Sequence, residues 1–366
     1  MAPPWPREPS LNHRENHPLV AQAKLDFLYP SPLQFTNTIP TWAGLGDGVE
    51  AFKRQDYAIA LREFSLLAEQ GDADAQFFLG SLYHQGDGVN VDYAKAKPWL
   101  SKAAGQGHTA ALNALGVVNA TQSKKKRDYL QAAKCFQAAA NKGIPEAQYN
   151  LGLLFSHGLG LDPSPTQAAH WFQKAAEHNI AAAQHKVGML YEKGIATQAR
   201  PDEAIKWYTK AAEQGYGPAQ HDLGMLCLQG LDEDHDEETA VHWLEQAAKQ
   251  GLIESQTQLA ALYDEGRGTD RDPLKSFSCY SQAAEQGDAS AQLALGRKYA
   301  DGMGVPQDFI MAYVWFNLAG AQGLEDAGRA REAVLKLMTA RQIEQGQEMS
   351  RDYFTRFVVN PHNAAS

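Results

Sequence analysis

The sequence lacks the features of several protein classes. Its 366 residues include only three cysteines, which are too few and too scattered for a disulfide-stabilised scaffold. No apolar run comes near the ~18 residues of a membrane-spanning helix. The apolar stretch from Leu19 to Leu28 is interrupted by polar residues, unlike a secretory signal. We therefore expect a cytoplasmic protein without a membrane span, or an exported or periplasmic one if translation starts further upstream.

The sequence also lacks the short motifs of common enzymes. No G-x-S-x-G, G-x-x-x-x-G-K-[ST] or H-E-x-x-H pattern occurs, and these motifs mark α/β-hydrolases, P-loop proteins and zinc peptidases. His13 and His17 have the spacing of a helical metal site but no further ligand nearby. The acidic run from Asp232 to Glu238 lacks the glycine and the closing glutamate of a calcium loop. We expect no metal, no cofactor and no enzymatic activity.

The balance of charge argues against one class of partner. The formal net charge is −10 at pH 7, which is unfavourable for binding nucleic acid, so we expect no nucleic-acid partner. One basic run, Gln122–Arg127, departs from this balance. It fits a solvated turn, a site for an acidic partner or a nuclear-import signal, and we favour the solvated turn.

The main positive feature is a repeat with a period of 36 residues. In the clearest copy, Asp288–Gly323, apolar residues spaced four apart predict one face of a first helix. Gly302, Gly304 and Pro306 then end that helix, and Asp308 precedes a second helix as an N-cap residue. Capping residues precede the second helix in other copies, with Arg200 as the exception: Asp92, Asp128, Ser164, Asp236 and Asp272.

Two sets of glycines recur in the repeat. One set follows the second helix: Gly71, Gly107, Gly143, Gly215, Gly251, Gly287 and Gly323, with Asn179 in the remaining copy. Glycine and asparagine most readily take a left-handed backbone, so this set predicts the ends of helices. The other set lies inside the first helix: Gly80, Gly116, Gly152, Gly188, Gly224 and Gly296, with Ala260 in the same column.

The glycines inside the first helix predict a close contact between helices. Such a glycine costs about 1 kcal/mol relative to alanine, so its repetition implies that a neighbouring helix leaves no room for a Cβ atom. The expected neighbour is the second helix, which carries a tryptophan column: Trp99, Trp171, Trp207, Trp243 and Trp315. The position after it is always large and apolar: Phe64, Leu100, Phe136, Phe172, Tyr208, Leu244, Tyr280 and Phe316. We predict that Trp207 and Gly224 lie in the core.

These columns resemble the Sel1-like repeat, a relative of the tetratricopeptide repeat. The similarity is clear in Ala147-Gln148 with Leu151-Gly152, and in Ala204 with Trp207-Tyr208 and Lys210-Ala211-Ala212. It extends over about residues 56–323. The resemblance implies an all-α fold, a right-handed α-solenoid of stacked antiparallel helix pairs, which works as an adaptor by binding partners on its concave face. It implies no shared catalytic chemistry, because the motif residues are packing and turn residues.

The rest of the chain is organised around this array, residues 57–323. Residues 1–40 are rich in proline and are expected to be an extended or disordered tail that folding does not require. Alternatively, Leu19–Leu28 forms a short amphipathic helix that docks on the first repeat. Residues 41–56 are expected to form an N-terminal capping helix and residues 324–357 polar C-terminal capping helices, followed by a frayed tail at 358–366. We expect a monomer.

The candidate binding residues are the variable positions of the first helices. They flank the Leu-Gly pair that points into the stack, so we expect them to face the groove and to hold a protein or peptide partner. They are Phe77, Phe78, Asn113, Tyr149, Asn150, Leu153, His185, Lys186, Met189, His221, Asp222, Met225, Gln258 and Arg297. The resemblance to tetratricopeptide grooves, which clamp peptides with Asn, Lys and Arg, strengthens this prediction.

Two other functions remain open at this point. One is an exported cell-envelope or effector protein of the same fold, which an upstream signal peptide would support. The other is a hydrolase that uses carboxylates and histidines of the groove. An enzyme should concentrate unusual polar residues in one or two adjacent repeats, whereas the departures here are spread out and lie mostly in loops. We therefore favour a non-catalytic interaction scaffold.

Overall fold

The computed structural model describes residues 45–122, 126–230 and 236–359. Within these ranges the chain folds into helices and contains no strand. It forms two compact units, one ending at Ala199 and the other beginning at Arg200. Several predictions fall on residues outside the described ranges: the tail at 1–40, the start of the N-terminal capping helix, residues 123–125 of the basic run, residues 232–235 of the acidic run, and the last seven residues.

Each unit is a series of short helices. The first unit contains α1 (Leu45–Lys53), α2 (Tyr57–Glu69), α3 (Ala73–Gln85), α4 (Tyr93–Gly105), α5 (Thr109–Thr121), α6 (Lys126–Asn141), α7 (Pro145–His157), α8 (Pro165–Glu177) and α9 (Ala181–Lys193). The second contains α10 (Pro201–Glu213), α11 (Gly217–Cys227), α12 (Glu237–Lys249), α13 (Ile253–Glu265), α14 (Pro273–Glu285), α15 (Ala289–Asp301), α16 (Phe309–Ala321), α17 (Glu325–Leu335), α18 (Ala340–Phe354) and a π-helical turn (Thr355–Val359). Within each unit every helix packs on the next, except that α18 packs on α16. The predicted all-α fold of stacked helix pairs is confirmed.

The glycines that follow the second helices have the predicted backbone. Their φ angles lie between 83° and 98°, and Asn179 in the same column has a φ of 64°. This left-handed region favours glycine and tolerates asparagine, because other side chains clash with the backbone there. These residues therefore end the second helices as predicted.

The glycines inside the first helices make the predicted close contact with the helix that carries the tryptophan column. A Cβ atom built on Gly80, Gly116, Gly152, Gly224 or Gly296 would lie 2.5–2.8 Å from the nearest side-chain atom. That atom belongs to the residue after the tryptophan column: Leu100, Phe136, Phe172, Leu244 and Phe316, respectively. The predicted helix is therefore the contacting one, and the residue next to the tryptophan position makes the contact. Gly224 lies in the core as predicted.

The tryptophan column lies at the edge of the core. Trp171 and Trp315 are buried, whereas Trp99, Trp207 and Trp243 are half-buried. The ammonium group of Lys210 lies 4.3 Å from the centre of the Trp207 ring, so the exposed ring face is covered by a cation. The adjacent Tyr208 is fully buried. The prediction that Trp207 is a core residue is therefore wrong, and Tyr208 takes that place.

A buried glutamine network joins successive helices. One glutamine near the start of each of several first helices, which we call an inner glutamine, is buried: Gln76, Gln148, Gln184, Gln220, Gln256 and Gln292. Each donates from Nε2, over 3.1–3.4 Å, to the carbonyl oxygen of the alanine eight residues earlier. That carbonyl lies in the last turn of the preceding second helix and also accepts the backbone N–H of the glycine, or of Asn179, that follows the helix. The inner glutamines thus tie each first helix to the end of the preceding second helix.

A second set, the bridging glutamines, lies thirty residues after the inner ones. Nε2 of Gln106 donates to Gln76 Oε1 and to the Gly71 carbonyl oxygen, at 2.9 Å in both cases. The same pair of bonds is made by Gln250 and Gln322, and the bond to the inner glutamine by Gln286. Each bridging glutamine therefore links both ends of one repeat.

One copy interrupts this network. The bridging position that belongs to Gln148 holds His178, which is exposed. Oε1 of Gln148 is consequently buried without a hydrogen-bond partner. In the copy before it, both positions change together: Leu112 replaces the inner glutamine, and Lys142 donates to the Gly107 carbonyl oxygen over 3.3 Å. The mismatch at His178 leaves a buried acceptor unpaired, which destabilises the fold.

Helix starts follow the predicted capping residues with one exception. Asp92, Ser164, Asp236, Asp272 and Asp308 each accept a hydrogen bond from a backbone N–H in the first turn of the second helix. Arg200 makes no such bond, as predicted. The exception is Asp128, because α6 begins two residues earlier and places this residue in its first turn.

His108 caps a first helix in a way that depends on its protonation. Its Nδ1 accepts from the backbone N–H of Ala111 over 3.1 Å, and its Nε2 lies 3.1 Å from Asp74 Oδ1. Acceptance at Nδ1 requires the neutral ring, and the contact with Asp74 is made at the same time when the proton is on Nε2. Burial lowers the pKa of His108, although the carboxylates of Asp74 and Asp72 raise it in part. The cap is therefore complete only when the imidazole is neutral.

The C-terminal helix packs along α16. A Cβ atom on Gly346 of α18 would lie 2.7 Å from Cδ1 of Tyr313. Nδ2 of Asn317 donates to Ser350 Oγ over 3.0 Å. Polar residues predicted to face outward on this part of the chain are exposed: Lys336, Arg341 and Glu344.

Restoring the bridging glutamine should stabilise the first unit. In His178→Gln the new Nε2 can donate to Gln148 Oε1, as Gln106 does to Gln76. The expected gain in the free energy of unfolding is about 1 kcal/mol, measured by urea denaturation. His178→Ala is the matched control, since it removes the imidazole without adding a donor. An equal gain in both variants would show that the hydrogen bond is not responsible.

His108 should make stability depend on pH. Because its pKa is lower in the folded chain than the ordinary 6.5, its contribution is fully present above pH 6.5 and is lost as the pH falls through the folded-state pKa. His108→Asn keeps a capping acceptor and removes the titration. Thermal melts between about pH 7.5 and about pH 5 should show the wild type losing stability relative to this variant. Parallel melting temperatures for the two chains would contradict this account.

Candidate functional site

The structure separates the predicted partner-binding residues by burial. Five of them are buried: Asn113, Tyr149, Asn150, Leu153 and His185. Eight are half-buried: Phe77, Phe78, Lys186, Met189, His221, Asp222, Met225 and Gln258. Arg297 is exposed. The expectation that all of them face an open groove does not match the burial of the first five, because each first helix is covered by neighbours over more of its surface than periodicity indicates.

The buried residues among them contact neighbouring helices inside the first unit. Nδ2 of Asn150 donates to Asn113 Oδ1 over 3.2 Å, and Asn150 is completely buried. The ring of Tyr149 lies 5.7 Å from that of Phe172 on the adjacent second helix. These side chains contact α5, α7 and α8, so they position helices and are not available to a ligand in this conformation.

Accessible residues of the first unit are mainly aromatic and apolar. The rings of Phe77 and His108 stack at 4.6 Å, and those of Phe64 and Phe78 stack at 4.9 Å. On α9, Lys186 and Met189 are half-buried and lie about one turn apart on the same side. This unit therefore offers apolar contact area together with one cation.

Accessible residues of the second unit are more polar. His221 is fixed by a hydrogen bond of 2.8 Å between its Nδ1 and Ser255 Oγ. Asp222 and Met225 lie three residues apart on α11, so they share a face of that helix. Arg297 projects from α15 and is exposed. The two units thus carry different side-chain chemistry at equivalent positions.

Sequence reasoning missed a charged cluster in the second unit. Lys298 occupies a column that otherwise holds Leu or Val: Leu82, Val118, Leu154, Leu190, Leu226, Leu262 and Val334. It is 2% exposed, its Nζ lies 2.7 Å from Asp264 Oδ1, and it lies 5.6 Å from the centre of the Tyr280 ring. Burial, with the nearby carboxylates of Asp264 and Glu265, raises the pKa of Tyr280 to about 12. A lysine in a leucine column was the signal available in the sequence.

A neighbouring contact joins α12, α13 and α14. The hydroxyl of Tyr263 donates to Glu245 Oε1 over 2.5 Å, and burial followed by this bond raises the pKa of Tyr263. Burial and the Glu245 carboxylate raise the pKa of the Cys279 thiol to about 11. A thiol with such a pKa stays protonated at neutral pH and is a poor nucleophile.

These two clusters bear on the hydrolase alternative. They place unusual polar residues on consecutive helices, which was the pattern expected of an enzyme. However, the Lys298 charge is already paired with Asp264, and the Cys279 thiol and the Tyr263 hydroxyl are held protonated. The arrangement can brace the helices through ion pairs and hydrogen bonds, and it presents no activated nucleophile.

Across residues 45–122, 126–230 and 236–359, no group of three or more His, Cys, Asp or Glu side chains is arranged to hold a metal ion. In the same part of the chain, no helix has the length and apolar character needed to cross a membrane.

Known proteins share this arrangement of repeats. The Sel1 repeat profile matches seven consecutive segments: residues 73–108, 109–144, 145–180, 181–216, 217–252, 253–288 and 289–324. None of the curated proteins matches the chain.

Solved structures of similar proteins extend the comparison. A Sel1 repeat protein from Oxalobacter formigenes is 30% identical, with a TM-score of 0.63 over 80% of this chain and 86% of that one. The protective antigen c5321, which has an SLR fold and is present in uropathogenic Escherichia coli strains, is 25% identical, with a TM-score of 0.43 over 87% and 85% of the two chains. The immunity protein Pa5087 from Pseudomonas aeruginosa is 21% identical, with a TM-score of 0.34 over 52% and 73%.

The profile matches follow one another without a gap from residue 73 to residue 324, which is more than half of the sequence. They coincide with the helix pairs whose glycine, glutamine and apolar columns are described above. The chain belongs to the Sel1 repeat family.

Proposed function

We propose that this protein is a non-catalytic adaptor that holds a segment of a protein partner against the accessible side chains of its first helices. The Sel1 repeat fold generally mediates protein–protein interaction. The observation that carries the finer proposal is a contrast within each first helix. The packing positions keep glycine, alanine and glutamine in copy after copy, whereas the accessible positions vary between copies, as in the column of Phe78, Lys186, Asp222 and Gln258.

The chemistry of the accessible positions supports recognition of a peptide. Met189 and Met225 are half-buried, and methionine side chains adapt to irregular apolar surfaces. Lys186 directly follows His185, and Asp222 directly follows His221. The two residues carry opposite charges. Arg297 adds a guanidinium group that can bind a carboxylate through two hydrogen bonds. Each unit therefore combines apolar contact with charge selection.

One column of accessible positions differs in charge between the units. The first unit places Lys186 there and the second places Asp222 and Gln258. A partner segment with matched charges would bind one unit in preference to the other, because unlike charges attract and like charges repel across an interface. The proposal thus accounts for accessible residues that packing leaves unexplained.

The test begins with affinity capture from the native host and mass spectrometry to identify the partner. Calorimetry then compares two surface variants, Lys186→Ala with Met189→Ala and Asp222→Ala with Met225→Ala. At least one of them should weaken binding by about 2 kcal/mol without lowering the melting temperature. The matched control is Lys134→Ala with Glu177→Ala, two exposed residues of second helices. Loss of binding in the control and not in the first-helix variants would contradict the proposal.

A further inference from the structure

Two positions on each second helix distinguish the ends of the array from its middle. They lie seven residues apart, which places them two turns apart on one side of the helix, and we call them the outer pair. In the six middle copies the outer pair is polar or includes alanine: Lys95 and Lys102, Gln131 and Ala138, Gln167 and Lys174, Glu203 and Lys210, Thr239 and Gln246, Lys275 and Gln282. These side chains are exposed or half-buried, as expected for an outer surface.

In the last second helix, α16, the outer pair is apolar and covered. It consists of Met311 and Leu318, and Leu318 is only 1% exposed. The cover comes from the chain's own C-terminal segment, because both residues pack in a cluster with Tyr353 and Phe357. The apolar outer pair of α16 is therefore explained by the terminal segment that packs on it.

In α2, which is the earliest of the second helices along the chain, the outer pair is also apolar but remains exposed. Ile59 is 42% exposed and Leu66 is 56% exposed. Between them lies Glu63, whose carboxylate is 2.7 Å from the Arg62 guanidinium. No described residue covers this pair as the C-terminal segment covers that of α16. The choice of Ile and Leu at positions that hold lysine one copy later, in α4, is unexplained by the described contacts.

We propose that Leu19–Leu28, an apolar segment of the N-terminal region, packs on Ile59 and Leu66 and covers α2 as the C-terminal segment covers α16. This segment has five large or branched apolar residues, and its two charges, Lys24 and Asp26, are of opposite sign. The face it would cover likewise carries one cation and one anion, Arg62 and Glu63. Neither surface therefore carries a net charge, so the apolar side chains can be buried without net electrostatic repulsion between the two surfaces.

The length of chain before the first described helix permits this contact. The 16 residues from Tyr29 to Gly44 join the segment to α1, and they reach about 50 Å when extended. Helix α2 has 13 residues and is about 20 Å long. It begins four residues after α1 ends. The linker is thus long enough to place the segment anywhere along α2.

Hydrogen exchange of the full-length chain tests the proposal. Ile59→Lys with Leu66→Lys changes the face of α2 to the residues found in α4, and Leu25→Asp with Leu28→Asp changes the segment. Each pair should speed amide exchange in α2 by about tenfold, because α2 loses its cover, and the combined variant should show no further increase. Leu11→Asp with Leu33→Asp is the matched control outside the segment and should leave α2 unchanged.

Two outcomes would overturn the proposal and show what the face of α2 contacts instead. If the wild type sediments as a dimer that Ile59→Lys with Leu66→Lys dissociates, and the segment variant has no effect on α2, a second copy covers the face. If the chain is monomeric and neither the segment variant nor the face variant changes exchange in α2, the face is uncovered in the isolated protein and available to another partner.

Discussion

The fold depends on one short contact that recurs within the helix pairs. A glycine inside the first helix allows a Leu or Phe side chain of the second helix to approach so closely that a Cβ atom would lie 2.5–2.8 Å from it. The helical cost of glycine, about 1 kcal/mol each, is offset by burial of that side chain, which is 0–2% exposed in each pair. Where the column holds Ala260, the equivalent side chain, Tyr280, is only half-buried. The glutamine network then connects each pair to the next helix by donating a further hydrogen bond to carbonyl oxygens at the ends of the second helices.

Periodicity predicts this framework well and the orientation of individual side chains poorly. The turn glycines, Asn179 and most N-caps follow directly from backbone and capping preferences, so the sequence located them. Trp207 and Tyr208 are adjacent large residues about 100° apart on one helix, and spacing alone cannot tell which of them faces the glycine. The burial of Asn150 and His185 depends on how far neighbouring helices overlap a first helix, which a single-chain pattern does not contain. The sequence shows Lys298 as a charged residue at a position that holds Leu or Val in the other copies. Its ion pair with Asp264 is evident only from the packing of the helices.

The division between constant and variable positions follows from the same contact. Glycine, alanine, glutamine and the large apolar column hold the helices together, so substitutions there change stability. The half-buried positions of the first helices, such as Lys186 and Asp222, hold different residue types in different copies. A repeat built in this way supplies many similar surfaces with different side chains, which suits an adaptor. The apolar outer pairs on α2 and α16 have a different origin. They lie on the first and last second helices, beyond which no further repeat covers the array.

The most direct test of the central contact is one substitution at two glycines in the second unit. Gly296 is inside α15, where a Cβ atom would lie 2.6 Å from the Phe316 ring, whereas a Cβ atom on Gly328 of α17 would meet nothing within 4 Å. Urea denaturation should show Gly296→Ala destabilising the chain by about 1–3 kcal/mol through overpacking. Gly328→Ala should stabilise it by up to about 1 kcal/mol, because alanine favours the helix. Stabilisation by both substitutions would contradict the claim that close approach to glycine holds the helix pairs together.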